Sequence, residues 1–220
     1  MSITLEKVKN HHFVQEFIEA SNEYLGALGF TEHGFRHVSL VANIARNVLH
    51  YLNFKEPLPE LASIAGYLHD IGNVINRHDH GQSSALIAMH ILEELKMPSE
   101  EIAIVISAIG NHEEETGDPV NPVAAALILA DKSDVHKTRV RNPQMINFDI
   151  HDRVNYAVER SFLRVDPAKK SVILELTIDT KRAQVMEYFE IFMSRMIICR
   201  RAANFLGCNF ELIINERKLI

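Results

Sequence analysis

The sequence predicts a mainly α-helical domain over residues 1–150, followed by a small α+β extension over 151–220. Three observations carry this. Apolar residues recur at helical spacing throughout the first 130 positions, as in Val38, Val41, Ala42, Ala45, Val48, Leu49 and Leu52. Pro and Gly clusters cut that pattern into segments of ordinary helix length. A β-branched run beside a turn, Val172 to Ile178 after Asp166-Pro167-Ala168-Lys169-Lys170, appears only in the last third.

Taken in order, residues 4–28 read as one helix with an imperfect apolar face, closed by Gly26 and Gly29. Its His11 and His12 read as solvated. Thr31 is a candidate N-cap for a second helix, with His33 and His37 at its front and its apolar stripe running from Val38 to Leu52. After Pro57 and Pro59 comes a central helix over 60–71, striped by Leu61, Ile64, Ala65 and Leu68 and stopped at Gly72. A polar loop over 73–84 leads to a helix over 85–95, where His90 reads as a hydrogen-bonded structural histidine. Pro98-Ser99-Glu100-Glu101 has helix-start chemistry, and the helix over 102–109 is apolar nearly all round, so it is buried. The acids after it, Glu113 to Glu115, read as solvated. Past the turn residues 116–122 comes another apolar helix, Val123 to Ala130. Residues 151–162 read either as a further helix or as an irregular link. A hairpin pairing 162–165 with 172–178, a helix over 182–205 and a strand over 209–215 complete a β-β-α-β extension.

Composition narrows the function classes. Apolar residues make up 47% and charged residues 24%, as in an ordinary soluble protein, and the net charge of −6 disfavours an extended nucleic-acid surface. Apolar runs are too short to cross a bilayer, and the N-terminus lacks the basic-then-apolar pattern of a signal peptide. Cys199 and Cys208 give no disulfide framework, so the expected setting is cytoplasmic. Twelve residues are His, and eight of those fall between His33 and His112, which points to metal or proton chemistry.

Candidate chemistry gathers at helix ends. His69 and Asp70 are adjacent where the central helix stops, about 100° apart around its axis, so both can reach one cavity. An imidazole beside a carboxylate suits a divalent cation. His33 and His37 are four apart and can share a helix face. His80 precedes a helix, while His112 and Asp131 each follow an apolar one, and a buried carboxylate is costly unless paired or bound to metal. Asp131 is therefore either a ligand or the partner of Lys132 or Arg139. Lys132, Lys137, Arg139 and Arg141 form a basic cluster directly after it, suited to an anionic substrate.

The ordered set His37, His69-Asp70, His80, His112, Asp131, with Leu68-His69-Asp70-Ile71-Gly72 at its centre, resembles the HD-domain superfamily of metal-dependent phosphohydrolases over residues 25–140. The resemblance implies a helical bundle with a central binuclear site. His37, His69, Asp70 and Asp131 would hold one metal, and Asp70 would bridge to a second held by His80 and His112. The divalent ions would be Fe, Mn, Co, Ni or Zn. It also implies hydrolysis of a phosphoester or phosphoanhydride, of a nucleotide, by a metal-activated hydroxide. Asp70 and His33 would be catalytic, and His33 would contact phosphate or donate a proton. Lys132, Arg139 and Arg141 would bind substrate. The Ala-Asp-Lys-Ser stretch is similar to small bacterial HD proteins that cleave dinucleoside polyphosphates. Asn73 and Thr116-Gly117-Asp118-Pro119 stand where the cyclic-dinucleotide branch carries Lys and Gly-Tyr-Pro, which argues against that branch. Two other readings use the same residues: a di-iron oxygenase, or a non-catalytic regulatory module. The extension is expected to serve as a homo-oligomer contact.

Overall fold

The computed structural model describes residues 3–142 and 150–219. Helices α1 (Leu5–Lys9), α2 (His12–Ala27), α3 (Phe35–Tyr51), α4 (Leu58–Leu68), α5 (His80–Glu94), α6 (Ser99–Gly110) and α7 (Pro122–Lys132) form the bundle. Helix α8 (Ile150–Ala157), strands β1 (Val158–Asp166) and β2 (Ser171–Ile178), helix α9 (Val185–Phe205) and strands β3 (Asn209–Ile214) and β4 (Arg217–Lys218) follow. The expected junction at residue 150 adjoins 143–149, which lie outside the described residues. Among those described, no helix is long and apolar enough to cross a membrane.

Helix α7 is the axis of the core. Asn121 caps it by accepting from Ala124 N at 2.8 Å, and Pro122 occupies its first turn. Every residue from Val123 to Ala130 is buried, because α3, α4, α6 and α9 all pack on this one helix. A helix apolar on all sides is stable only when so enclosed. Helices α3 and α4 approach closely at Gly66, where a Cβ would stand 2.8 Å from Ala42 Cα. That contact brings the front of α3 to the end of α4.

Several expectations are corrected. The helix over 4–28 is broken at Asn10 and His11, since Asn10 Nδ2 donates to Glu6 O at 2.8 Å and His11 turns extended. His11 is not solvated: its Nε2 meets Glu94 Oε2 at 3.0 Å. His90 is exposed and pairs with Glu94 as well, rather than serving a buried structural role. The central helix ends at Leu68, and Ile71–Val74 turn as a 3-10 segment. Gly72 has a packing reason, because a Cβ there would collide with the backbone of His80 and Ser84.

The extension is a four-stranded sheet in the order β1-β2-β3-β4. Pairs β1/β2 and β3/β4 are antiparallel, and β2/β3 are parallel across the α9 crossover. The residues after 150 are helical to Ala157 and then enter β1, which is longer than the hairpin strand expected from sequence. Strand β4, too short to carry a pattern, was not foreseen. Tyr188, Phe192, Met196 and Cys199 of α9 join the same apolar core as α7. Cys199 and Cys208 are free thiols.

Candidate metal centre

His37 projects from the first turn of α3 and His69 caps α4, with Asp70 next in the chain. His80 opens α5, His112 follows α6, and Asp131 sits in the last turn of α7. All six are buried. The structure therefore brings together every residue of the ordered set. His37 Nε2 lies 3.3 Å from His69 Nε2 and 3.4 Å from both Asp70 Oδ2 and Asp131 Oδ1. His80 Nε2 lies 3.2 Å from His112 Nε2 and 3.1 Å from Asp70 Oδ1. Three triads have ligand atoms within 4.8 Å of one another: His37-His69-Asp70, His69-His112-Asp131 and Asp70-His80-His112.

The other face of each ring explains what these atoms present. His37 Nδ1 is 2.7 Å from Asp134 Oδ2, His69 Nδ1 is 2.9 Å from Gly66 O, and His112 Nδ1 is 2.6 Å from Ile109 O. His80 Nδ1 is 2.7 Å from Glu113 Oε1. Each Nδ1 faces oxygen acceptors, which assigns the proton there and turns the Nε2 lone pair inward. Lone pairs 3.2–3.3 Å apart repel unless a cation or proton lies between them. Four inward imidazole nitrogens with two carboxylates form a donor set that fits divalent transition ions, and the resident residues pass that test.

Without a cation the cluster holds protons instead. Burial depresses His37 and His69, but neighbouring carboxylates outweigh it and raise His37 to about 8 and His69 to about 10. Burial and the charge of His69 and His80 push His112 down to about 3. Asp70 and Asp131 lie well below the usual carboxylate range: burial opposes this, but nearby cations prevail, His69 foremost for Asp70 and Lys132 for Asp131.

The centre floors a cleft of about 550 Å³ lined by Arg77, Lys132, Arg139 and Arg195 among others. Lys132 is buried between Asp131 Oδ2 at 2.6 Å and Glu114 Oε2 at 2.7 Å. Thus the two readings of Asp131 coexist, since it faces the histidine cluster and pairs with Lys132. Arg139 is buried on the cleft wall, donating to His33 Nε2 at 2.8 Å and to Asp134 O at 2.9 Å. Arg141 stands apart from the cleft: it donates to Phe30 O and Asn22 O, fastening the segment after α2. Of the three residues expected to bind substrate, the structure brings Lys132 and Arg139 to the cleft and not Arg141. His33 differs from expectation too. Its Nδ1–H goes to Thr31 O at 2.7 Å and its Nε2 accepts from Arg139, while burial and Arg139 hold its pKa well below the ordinary value. Both ring nitrogens are engaged, so His33, which lines the cleft just before α3 (capped at Gly34, not Thr31), orients Arg139.

Sequence reasoning missed Asp134, although it stands one turn beyond Asp131 in the same polar break. It also took Glu113 and Glu114 as solvated, whereas they clamp His80 and Lys132; both sit near pKa 2, Glu113 chiefly through His80, and Glu114 through Lys132 against its burial. Arg195 of α9 meets Glu114 Oε1 at 3.3 Å and lines the cleft, with no local signal to announce it.

A helical bundle whose helix ends focus histidines and aspartates on one buried point defines a metal-binding α-helical protein. Comparison agrees: the HD domain family model matches residues 34–135. The chain is 32% identical to the uncharacterized protein MJ1020 of Methanocaldococcus jannaschii over 178 residues, covering 70% of this chain and 68% of that protein. The chain belongs to the HD-domain family, a superfamily made up mostly of metal-dependent phosphohydrolases.

Proposed function

We propose that this protein hydrolyses a phosphoester or phosphoanhydride of a small phosphorylated compound, a nucleotide, at a binuclear centre. The observation that supports this is an inward-facing His/Asp cluster at the floor of a cleft whose mixed-charge wall includes Arg77, Lys132, Arg139 and Arg195. His37, His69, Asp70 and Asp131 would hold one ion, and Asp70, His80 and His112 a second; Asp70 belongs to triads on both sides. Bound there, divalent ions supply a lowered water pKa and neutralise phosphoryl charge. The chain's own groups do the rest. Asp134 and Glu113 hold His37 and His80 in the ligand tautomer. Arg77 and Arg195 give guanidinium forks suited to phosphate oxygens, Arg139 adds its charge from within the wall, and Lys132 keeps Asp131 ionised. Guanidiniums of Arg77, Arg139 and Arg195 on a wall that also carries Asp79, Glu113, Glu114 and Glu115 support a phosphorylated substrate over the neutral organic substrates open to a di-iron oxygenase.

The test is a panel of nucleotides and chromogenic phosphodiesters given to protein loaded in turn with Mn, Fe, Co, Ni or Zn. Turnover is expected, with loss of at least about a thousandfold in Asp70→Ala, since one substitution removes a ligand from both ions. Failure of every phosphorylated compound, with oxygen consumed by the Fe-loaded protein, would replace this reading by the oxygenase one.

A further inference from the structure

Beyond the metal cleft lies a second chamber of about 570 Å³, lined by Leu28, Phe30, Asn155 and Phe192 among others. The two chambers share His33, Arg77, Glu115 and Arg195 in their walls. Each shared arginine is backed by an aromatic ring of the outer chamber. The Arg77 guanidinium lies 5.7 Å from the Phe30 centroid, and that of Arg195 lies 4.5 Å from the Phe192 centroid. Phe192 is fully buried, so it offers its guanidinium partner a fixed platform, while Phe30 is 41% exposed. The Phe30 backbone is tied at both of its polar groups. Its N–H donates to Leu25 O at 2.9 Å, and its carbonyl accepts from Arg141 Nε at 2.9 Å. Arg141 thus fixes Phe30 from behind, and His33 Nδ1–H fixes the neighbouring Thr31 carbonyl. Each chamber has the volume of a small-molecule site. The inner one is charged; the outer one offers aromatic and guanidinium faces, on which planar heterocycles stack.

We propose that the outer chamber is the subsite for the planar base of a nucleotide, whose phosphates pass between Arg77 and Arg195 to the metal centre. This rests on the phosphohydrolase reading and adds to it. The extension is part of the site, because Arg195 comes from α9, and specificity is for a ring-bearing phosphate rather than for phosphate alone.

The experiment compares ligands that differ only in the base: AMP against ribose 5-phosphate, and ATP against ribose 5-triphosphate, with metal-loaded protein. For whichever pair is turned over, kcat/KM should favour the base-bearing member by about tenfold or more, the lower range of one stacked base. That ratio should fall about tenfold in Phe30→Leu and be retained in Phe30→Trp, which keeps an aromatic face. A ratio near one in the natural protein, or a ratio unmoved by Phe30→Leu, overturns the subsite. If neither pair is turned over, calorimetric binding of the same pairs decides: tighter binding of the base-bearing member, lost in Phe30→Leu, supports the subsite, and equal binding overturns it. Absence of turnover across the wider phosphorylated panel counts against the hydrolase reading alone, so the two failures are distinguishable.

Discussion

Asp134 is where the metal centre can be tested without touching a ligand. It is buried, accepts from His37 Nδ1 at 2.7 Å and from Arg36 Nη2 at 2.8 Å, and lies near Arg139. Asp134→Asn keeps the shape but removes the charge that holds the His37 proton on Nδ1. Loss of a carboxylate behind a ligating histidine costs about 10–100-fold in metal affinity, or about 1.4–2.7 kcal/mol. The same change strands the buried Arg139 guanidinium, and breaking a buried pair costs about 3–5 kcal/mol. We take the low end, since Arg139 keeps its bond to the Asp134 carbonyl and Arg36 keeps Glu32. At about 2–4 °C per kcal/mol for a chain of this size, the melting temperature should fall by roughly 6–12 °C. Metal affinity is measured by competition with a chromogenic chelator, and stability by melting of chelator-treated protein. Arg36→Gln is the control: it loosens Asp134 from outside while leaving the His37 contact, so it should lower the melting temperature and keep affinity within about threefold. Equal affinities for Asp134→Asn and the natural protein would refute the claim that the Asp134 bond sets the His37 tautomer.

Two other outcomes follow from the same geometry. The raised pKa values of His37 and His69 stabilise metal-free protein fully below about pH 6.5, and that contribution is lost as pH rises through about 8 and then 10. His112, depressed to about 3, acts oppositely, its contribution present above about 6.5 and lost as pH falls towards 3. Metal must displace the protons on His37 and His69, so affinity should rise up to about tenfold per pH unit per proton below pH 8 and flatten above 10; calorimetry in buffers of different ionisation enthalpy counts the released protons, and none released at pH 7 would contradict this. Gly66→Ala should drive α3 from α4 by placing a Cβ 2.8 Å from Ala42 Cα. Overpacking of about 1–3 kcal/mol predicts a melting temperature lower by roughly 2–12 °C together with weaker metal binding, because the same two helices carry His37 and His69; unchanged melting would show the helices can separate freely.

What was legible in the sequence follows from what is local. Helices α3 to α7 announce themselves through a 3.6-residue period, and the residues that end them could be read as a set because each stands at a break in that period. Asp131 is the clearest case, a lone carboxylate closing eight apolar residues. The misreadings have a common cause. Glu113, Glu114 and Asp134 look like solvated acids because nothing in their neighbourhood names partners 18 to 98 positions away. Arg139 and Arg141 are two residues apart in a basic run, yet one faces the cleft and the other braces α2, a choice made by the path of the chain after Ser133. His33 is drawn into the same pattern by its spacing from His37, but its tautomer depends on Arg139, 106 residues on. Arg195 is illegible for the same reason, sitting on a helix whose visible pattern is packing.

The bundle and the extension are joined through α7, and this bears on how the site keeps its shape. With Val123 to Ala130 enclosed on every side, the end of α7 has little freedom to tilt. Asp131 and Lys132 therefore enter the cleft from a fixed base. Helix α9 supplies part of that enclosure and also delivers Arg195 to Glu114, whose other oxygen meets Lys132 Nζ. A continuous chain of charge-assisted bonds thus runs from the extension through Arg195, Glu114 and Lys132 to Asp131. Displacing α9 would both uncover α7 and release the last cation of that chain, so the position of Asp131 depends on an element that carries no ligand of its own.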